Sequence, residues 1–365
     1  MRPIPMLERM SALPVTAVAQ PEPLVTVRDL KVQIGTDDGL VRAVDGVTFD
    51  VPRGRTLCLV GESGSGKSIT GRALMNLLPP SGRIAAGRIT YTDRAGEAID
   101  IGALDPRGRQ IRGLRGKDIS LISQEPMAAL SPVHTIGQQL VPVIRRHLGL
   151  SRREAEARAV EMLGRVGIPK PAERLGNYPF EFSGGMRQRV CIALALSCQP
   201  RLLIADEPTT ALDVTTQANI IDLLQELQRE YGLSILFITH DLGVVAEIAD
   251  DVAVMYLGRI VERGTVDEIF ADPRHPYTQA LLKSVPRLGA GRHTRLAAIR
   301  GMVPSPFDRP AGCDFRPRCD LAIKGLCEIE DPGTITLGPR RDVRCVLQRT
   351  PSTDSVVTER STSHA

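Results

Sequence analysis

The sequence predicts an α/β fold, a parallel sheet covered by helices with a helical segment inserted within it. Three observations predict it. The apolar strand Thr56-Leu57-Cys58-Leu59-Val60 runs directly into a glycine-rich loop and then into a helical pattern. Farther on, the strand Leu202-Leu203-Ile204-Ala205, a helix over Gln217 to Glu230 and the strand Ser234 to Ile238 alternate β and α, the order that builds a parallel sheet with helices on its faces. Between about 130 and 180 the apolar period is helical.

Taken in order, residues 1–23 read as a flexible tail in which Pro3, Pro5, Pro14, Pro21 and Pro23 break every apolar run, so no signal-peptide core forms. Short strands follow at Val25 to Val27 and Val47 to Val51. The helix that opens after the glycine-rich loop is expected to continue through Ala73 to Leu78, where Pro79-Pro80 stops it. Residues 84–122 read as strands and turns ending in Ile119 to Ile122. Ser151 followed by Glu154 fits a capping box for the helix through Met162-Leu163. Beyond Pro286 the chain is rich in Pro, Gly and Arg, and from about Thr350 it is a Ser/Thr-rich tail. The expected division is a tail over 1–23, a main domain over 24–285, an extension with four cysteines over 286–349, and a tail over 350–365.

The 365 residues carry a net charge of only +4, aromatics are 3% and Trp is absent, which argues against a nucleic-acid partner and base-stacking platforms. The longest apolar stretch, Val190 to Cys198, is about half a membrane span. A cytosolic protein that reaches a membrane only through a partner is expected. In that reducing compartment the seven cysteines are not disulfides. Cys58, Cys191 and Cys198 lie in apolar segments and read as core residues.

The loop Gly61-Glu62-Ser63-Gly64-Ser65-Gly66-Lys67-Ser68 satisfies G-x-x-x-x-G-K-[ST], with Ile69 next in line. Its glycines let backbone N–H groups wrap phosphates, Lys67 reaches the β- and γ-phosphates, and the Ser68 hydroxyl suits Mg²⁺. The strand Leu202 to Ala205 ends in Asp206-Glu207, at the sheet edge where ligands bind in open α/β folds. Asp206 is placed to hold the Mg²⁺ shell, and Glu207 to accept a proton from an attacking water.

With these elements placed, the chain resembles an ABC transporter nucleotide-binding subunit. Phe182-Ser183-Gly184-Gly185-Met186-Arg187-Gln188-Arg189 is similar to the family's signature motif, Gln124 to its Q-loop glutamine, Ala211-Leu212-Asp213 to its D-loop and His240 to its switch histidine. The resemblance implies a P-loop NTPase (RecA-like) core with an antiparallel β subdomain and a helical insert, plus a small Cys-containing C-terminal extension. It also implies that Ser183, Gly184, Gly185 and Asp213 face the ATP of a second ATPase subunit, that His240 contacts the γ-phosphate and that Gln124 reaches Mg²⁺ or the water. The family's adenine-stacking aromatic is replaced by Ile34. Aliphatic packing by Ile34 and Val41 would lack the roughly 1–3 kcal/mol of a base–aromatic stack, so weaker base discrimination is expected.

His275-Pro276-Tyr277-Thr278, just after the core, resembles the hallmark of the oligopeptide/dipeptide importer branch, and the form of the signature segment resembles its D-type subunit. Cys313, Cys319, Cys327 and Cys345 run C-x5-C-x7-C-x17-C, without the close pairs usual at zinc sites. Four thiolates suit zinc or a [4Fe–4S] cluster, and an empty reduced set is the third reading. The resemblance implies the iron–sulfur cluster, whose negative charge Arg309, Arg316, Arg318 and Arg344 would offset. It further implies an F-type ATPase partner, two membrane permeases, an indirectly attached substrate-binding protein and a place on the cytoplasmic face of the bacterial inner membrane. Peptide is the expected cargo. Nickel, glutathione or oligosaccharides are alternatives, as is a soluble ATPase acting on nucleic acid or ribosomes.

Overall fold

The structure, a computed structural model, describes residues 22–125, 129–210, 212–284 and 299–349. Most of the expected N-terminal tail, the start of the extension, the C-terminal tail and Ala211 lie outside the described residues.

Strand β1 (Pro23–Thr36) turns back into β2 (Gly39–Pro52), and β4 (Gly82–Thr92) and β5 (Ala98–Asp100) complete a four-stranded antiparallel sheet in the order β2-β1-β4-β5. Among the described residues the main sheet has eight strands, in the order β11 (Ile335–Gly338), β12 (Arg341–Val343), β10 (Arg259–Thr265), β9 (Asp251–Tyr256), β3 (Thr56–Val60), β8 (Ser234–Thr239), β7 (Leu202–Asp206) and β6 (Ile119–Ile122). Within it β3, β6, β7, β8 and β9 run parallel, as the alternating β and α order predicts.

The two faces of β3 show why an unbroken apolar run is needed. Leu57 and Leu59 pack toward the antiparallel sheet together with Phe49, Ile204 and Ile238, while Cys58 and Val60 face the opposite core with Ile192, Phe237 and Leu224. Cys58, Cys191 and Cys198 are all buried in apolar surroundings, as expected, and burial pushes the Cys191 thiol up to about 12. The helical insert forms Ile136–Leu148 and Arg152–Arg165. Its capping box is present: the Glu154 N–H donates to Ser151 Oγ at 3.3 Å, and the Ser151 N–H to Glu154 Oε2 at 2.8 Å. Among the described residues no helix is long and apolar enough to cross a membrane.

Two helices depart from expectation. The helix after the glycine-rich loop is Lys67–Ala73 and stops before Pro79-Pro80. Asn76 takes a left-handed conformation (φ +50°), so the Leu77 N–H donates to the Arg72 carbonyl at 2.9 Å and closes the end. The Asn76 amide then donates to the Leu104 carbonyl at 2.8 Å, a tertiary reward invisible in a local pattern. A short helix, Arg109–Leu114, interrupts the strands and turns expected over 84–122.

The extension also holds two strands that no alternation announced. Strand β12 (Arg341–Val343) pairs with β10 (Arg259–Thr265), and β11 (Ile335–Gly338) pairs with β12, so the extension lengthens the main sheet. A buried ion pair locks this seam, with Arg341 Nη2 2.8 Å from Glu262 Oε1.

Candidate active site

The glycine-rich loop leaves β3 at Val60 and enters the helix at Lys67. It is squeezed between backbones. A Cβ on Gly61 would lie 2.2 Å from the Met255 carbonyl oxygen, and one on Gly66 (φ +97°) 2.3 Å from that of Ala43. Only glycine fits both positions. The Lys67 ammonium donates to the Gly61 carbonyl at 2.7 Å and the Glu62 carbonyl at 3.0 Å. Burial lowers its pKa, against the opposing pull of Glu207, Asp206 and Glu62.

Ser68 Oγ donates to Asp206 Oδ1 at 2.8 Å, across the gap between the loop's helix and the end of β7. Burial raises the Asp206 carboxyl, and the Ser68 hydrogen bond and Arg72 work against it. A buried carboxylate beside a hydroxyl at a phosphate loop is the donor set a hard cation such as Mg²⁺ takes, so the residues fit that ion.

Glu207 turns away from the strand through a left-handed backbone (φ +48°), with its N–H donating to the Ile238 carbonyl at 2.9 Å. Three side chains from separate segments meet on its carboxylate. Gln124 Nε2 donates to Oε2 at 3.2 Å, Thr210 Oγ1 donates to the same oxygen at 3.0 Å, and His240 Nδ1 lies 3.2 Å from Oε1. All of this sits at the C-terminal edge of the parallel strands, as the loop-and-carboxylate reading required.

Two cavities meet here. One, of about 230 Å³, is lined by Ser63 to Ile69, Gln124 and Glu207, with Val41, Ala43, Leu257 and Gly258 at its apolar side. The other, of about 780 Å³, is lined by Gly61, Glu62, Ser63, Gln124, Glu207, Thr210 and His240. Ile34 lines neither; it pairs with Val41 across the hairpin, and Val41 is the residue that faces the loop. Ser183, Gly184, Gly185 and Asp213 also line neither cavity. Ser183 caps the helix Gly184–Leu196 by accepting the Met186 N–H at 3.3 Å, and Asp213 caps Val214–Tyr231 by accepting the Thr216 N–H at 2.9 Å.

The four extension cysteines share one neighbourhood. The Cys313 N–H donates to the Cys327 carbonyl at 3.0 Å, and burial, reinforced by the thiols of Cys313, Cys319 and Cys327, pushes Cys345 up to about 11. Yet no group of three or more His, Cys, Asp or Glu side chains among the described residues gathers as a metal-ligand set. Cys345 nevertheless lies within electrostatic reach of the other three thiols, and thiols are the donor type that zinc or an iron–sulfur cluster takes. Three of the four flanking arginines pair with carboxylates: Arg309 with Asp45, Arg318 with Glu62 and Arg344 with Asp331.

Residues 44–210 match the ABC transporter family, and residues 261–327 match the oligopeptide/dipeptide transporter C-terminal region. A putative peptide import ATP-binding protein of Brucella melitensis is 50% identical over 331 residues, 89% of this chain and 97% of its own length. The dipeptide transport ATP-binding protein DppD of Bacillus subtilis is 48% identical over 328 residues, 90% of this chain and 95% of its own. The chain belongs to the ABC transporter ATP-binding subunits of the oligopeptide/dipeptide branch. Among solved structures, the ABC cassette MJ0796 in a dimeric post-hydrolysis state with ADP and Pi superposes with a TM-score of 0.58 at 25% identity, covering 66% of this chain and 98% of that one.

This ABC ATPase carries site residues that the sequence did not announce. Thr210 has no motif beyond lying three residues after Glu207. Pro306 and Arg309 of the extension line the smaller cavity, and Arg309 bridges Asp45 at 3.0 Å and the Arg42 carbonyl at 2.7 Å. Burial alone would raise Asp45, but Arg259 and Arg309 hold its carboxyl below the usual range. Only the fold brings residues so far apart in the chain together.

Proposed function

We propose that this ABC ATPase powers an importer of peptides across the bacterial inner membrane, from the cytoplasmic face. The relatives' naming as peptide and dipeptide transport proteins supports the cargo. The observation that carries the hydrolytic role is the meeting of Gln124, Thr210 and His240 on the Glu207 carboxylate beside the phosphate loop.

In this reading the amides of Gly61 to Ser68 and the Lys67 ammonium hold the β- and γ-phosphates, with Ile69 behind them. Ser68 and Asp206 would hold Mg²⁺, with Gln124 able to reach it. When bound, that ion neutralises charge on the β- and γ-oxygens. Glu207 orients the attacking water and takes its proton, and His240 and Thr210 keep the carboxylate aimed. His240 then turns toward the γ-phosphate. Ser183, Gly184, Gly185 and Asp213 serve the ATP held by a partner, an F-type subunit, which fits their absence from this chain's own cavities. Two permeases and a binding protein complete the machine.

The cysteine quartet is proposed to take a [4Fe–4S] cluster, with zinc as the alternative, on its donor chemistry and shared neighbourhood alone; no hydrolytic step runs through it. Iron, sulfide and zinc analysis after anaerobic purification decides the occupant. ATP-dependent uptake of labelled peptides by the reconstituted complex tests the cargo, and uptake that ignores peptides while ATP is hydrolysed would refute it.

A further inference from the structure

We infer that Arg318, from the C-terminal extension, is a positioning residue for ATP binding: it grips the Glu62 carboxylate inside the phosphate loop and so fixes the peptide that meets Lys67. Arg318 Nη1 and Nη2 donate to the two Glu62 oxygens at 2.5 and 2.9 Å, a bidentate pairing that sets direction as well as distance. The same residue is held at two further points. Its N–H donates to the Tyr277 hydroxyl at 2.9 Å, and its carbonyl accepts from Lys67 at 3.0 Å. Every polar group of Glu62 is thus engaged, two of them by residues that lie beyond the ATPase core motifs.

The loop needs such anchors. Its glycines carry large conformational freedom, and a Cβ on Gly64 would meet nothing within 4 Å. Arg318, by contrast, is a fixed post. Its side chain is 3% exposed, its guanidinium lies 5.8 Å from the Tyr256 ring centre and 6.0 Å from that of Phe315, and its Nε donates to the Arg300 carbonyl at 3.1 Å. Tyr256 directly follows Met255, whose carbonyl bounds Gly61. The loop therefore lies in a notch with β9 as one wall and the extension as the other. Releasing the grip spreads the loop over more conformations, and apparent affinity falls with the fraction that remains competent.

The inference rests on Lys67 being the phosphate-binding lysine, and one experiment separates the two. The full-length chain is titrated with MgATP by calorimetry as wild type, Lys67→Ala, Glu62→Gln, Arg318→Gln, Arg318→Lys, Tyr277→Phe and the Glu62→Gln/Arg318→Gln double variant, each with its melting temperature recorded without nucleotide. The expected result is loss of binding in Lys67→Ala. In Glu62→Gln and Arg318→Gln the Kd rises at least fivefold at a near-native melting temperature, the double variant is no worse than the worse single, and Arg318→Lys recovers part of the loss. Binding that survives Lys67→Ala removes the underlying reading. Loss in Lys67→Ala with unchanged Kd in Glu62→Gln, or a double-variant loss equal to the product of the singles, overturns the positioning role. If Arg318→Gln does not fold, Glu62→Gln and Arg318→Lys decide: an unchanged Kd in Glu62→Gln overturns the role, and a Kd raised there but raised less in Arg318→Lys supports it.

Discussion

Glu207 combines a left-handed backbone, rare and strained outside glycine, with a carboxylate engaged by three side chains. Strain of that kind persists where the surroundings dictate it, and here they aim one oxygen pair at the phosphate loop. Replacing Glu207 with Gln keeps the shape and removes the base. Hydrolysis is expected to fall by about 10²-fold or more with ATP binding retained, as measured by phosphate release and nucleotide titration on the same sample. Gly66 is constrained differently, by its φ of +97° and the Ala43 carbonyl 2.3 Å from a would-be Cβ. Gly66→Ala is expected to destabilise the fold by about 1–3 kcal/mol in urea unfolding and to abolish ATP binding. Both residues were legible in the sequence, because a phosphate loop and a strand ending in Asp-Glu announce themselves locally. Val41, which pairs with Ile34 across the hairpin, lines the cavity beside the phosphate loop.

The elements divide by whether their signals are local. The capping box at Ser151 and Glu154 was readable from spacing alone, and Ser151→Ala is expected to lose about 1 kcal/mol of stability by thermal or urea unfolding. The end of the helix Lys67–Ala73 was not, because the Asn76 amide donates hydrogen bonds to the distant Ile101 and Leu104 carbonyls. Nor were β11 and β12, whose partner strand lies in the core. Their seam gives a sharper test. Arg341→Gln leaves the fully buried Glu262 carboxylate without its cation, so unfolding in urea should show a loss of about 3–5 kcal/mol. A loss below 1 kcal/mol would mean that the extension docks by other contacts.

At the scale of the whole molecule, the His-Pro-Tyr segment is a keystone between core and extension. His275 is buried, its Nδ1 accepts the Tyr277 N–H at 3.0 Å, and its ring packs 5.9 Å from that of Phe315. Burial pushes its pKa down to about 3, against the pull of the Arg344 backbone. The unfolded chain therefore binds one more proton than the folded one between about pH 6.5 and 3. Stability from this group is intact above that window and is lost as pH falls through it, with a slope of up to about 1.4 kcal/mol per pH unit. Urea midpoints from pH 7 to 4 should show the decline, and His275→Gln should flatten it.

Sequence by itself determined the alternating α/β order, the phosphate loop, the paired carboxylates and the family, because each rests on short-range spacing or on a buried strand's unbroken apolar run. The tertiary structure decided what surrounds them. Thr210 and His240 meet at Glu207, Val41 lines the cavity beside the phosphate loop, and Arg309 and Arg318 reach the site from the extension. Those contacts depend on strand register and on how the extension docks on β10, neither of which a local pattern encodes.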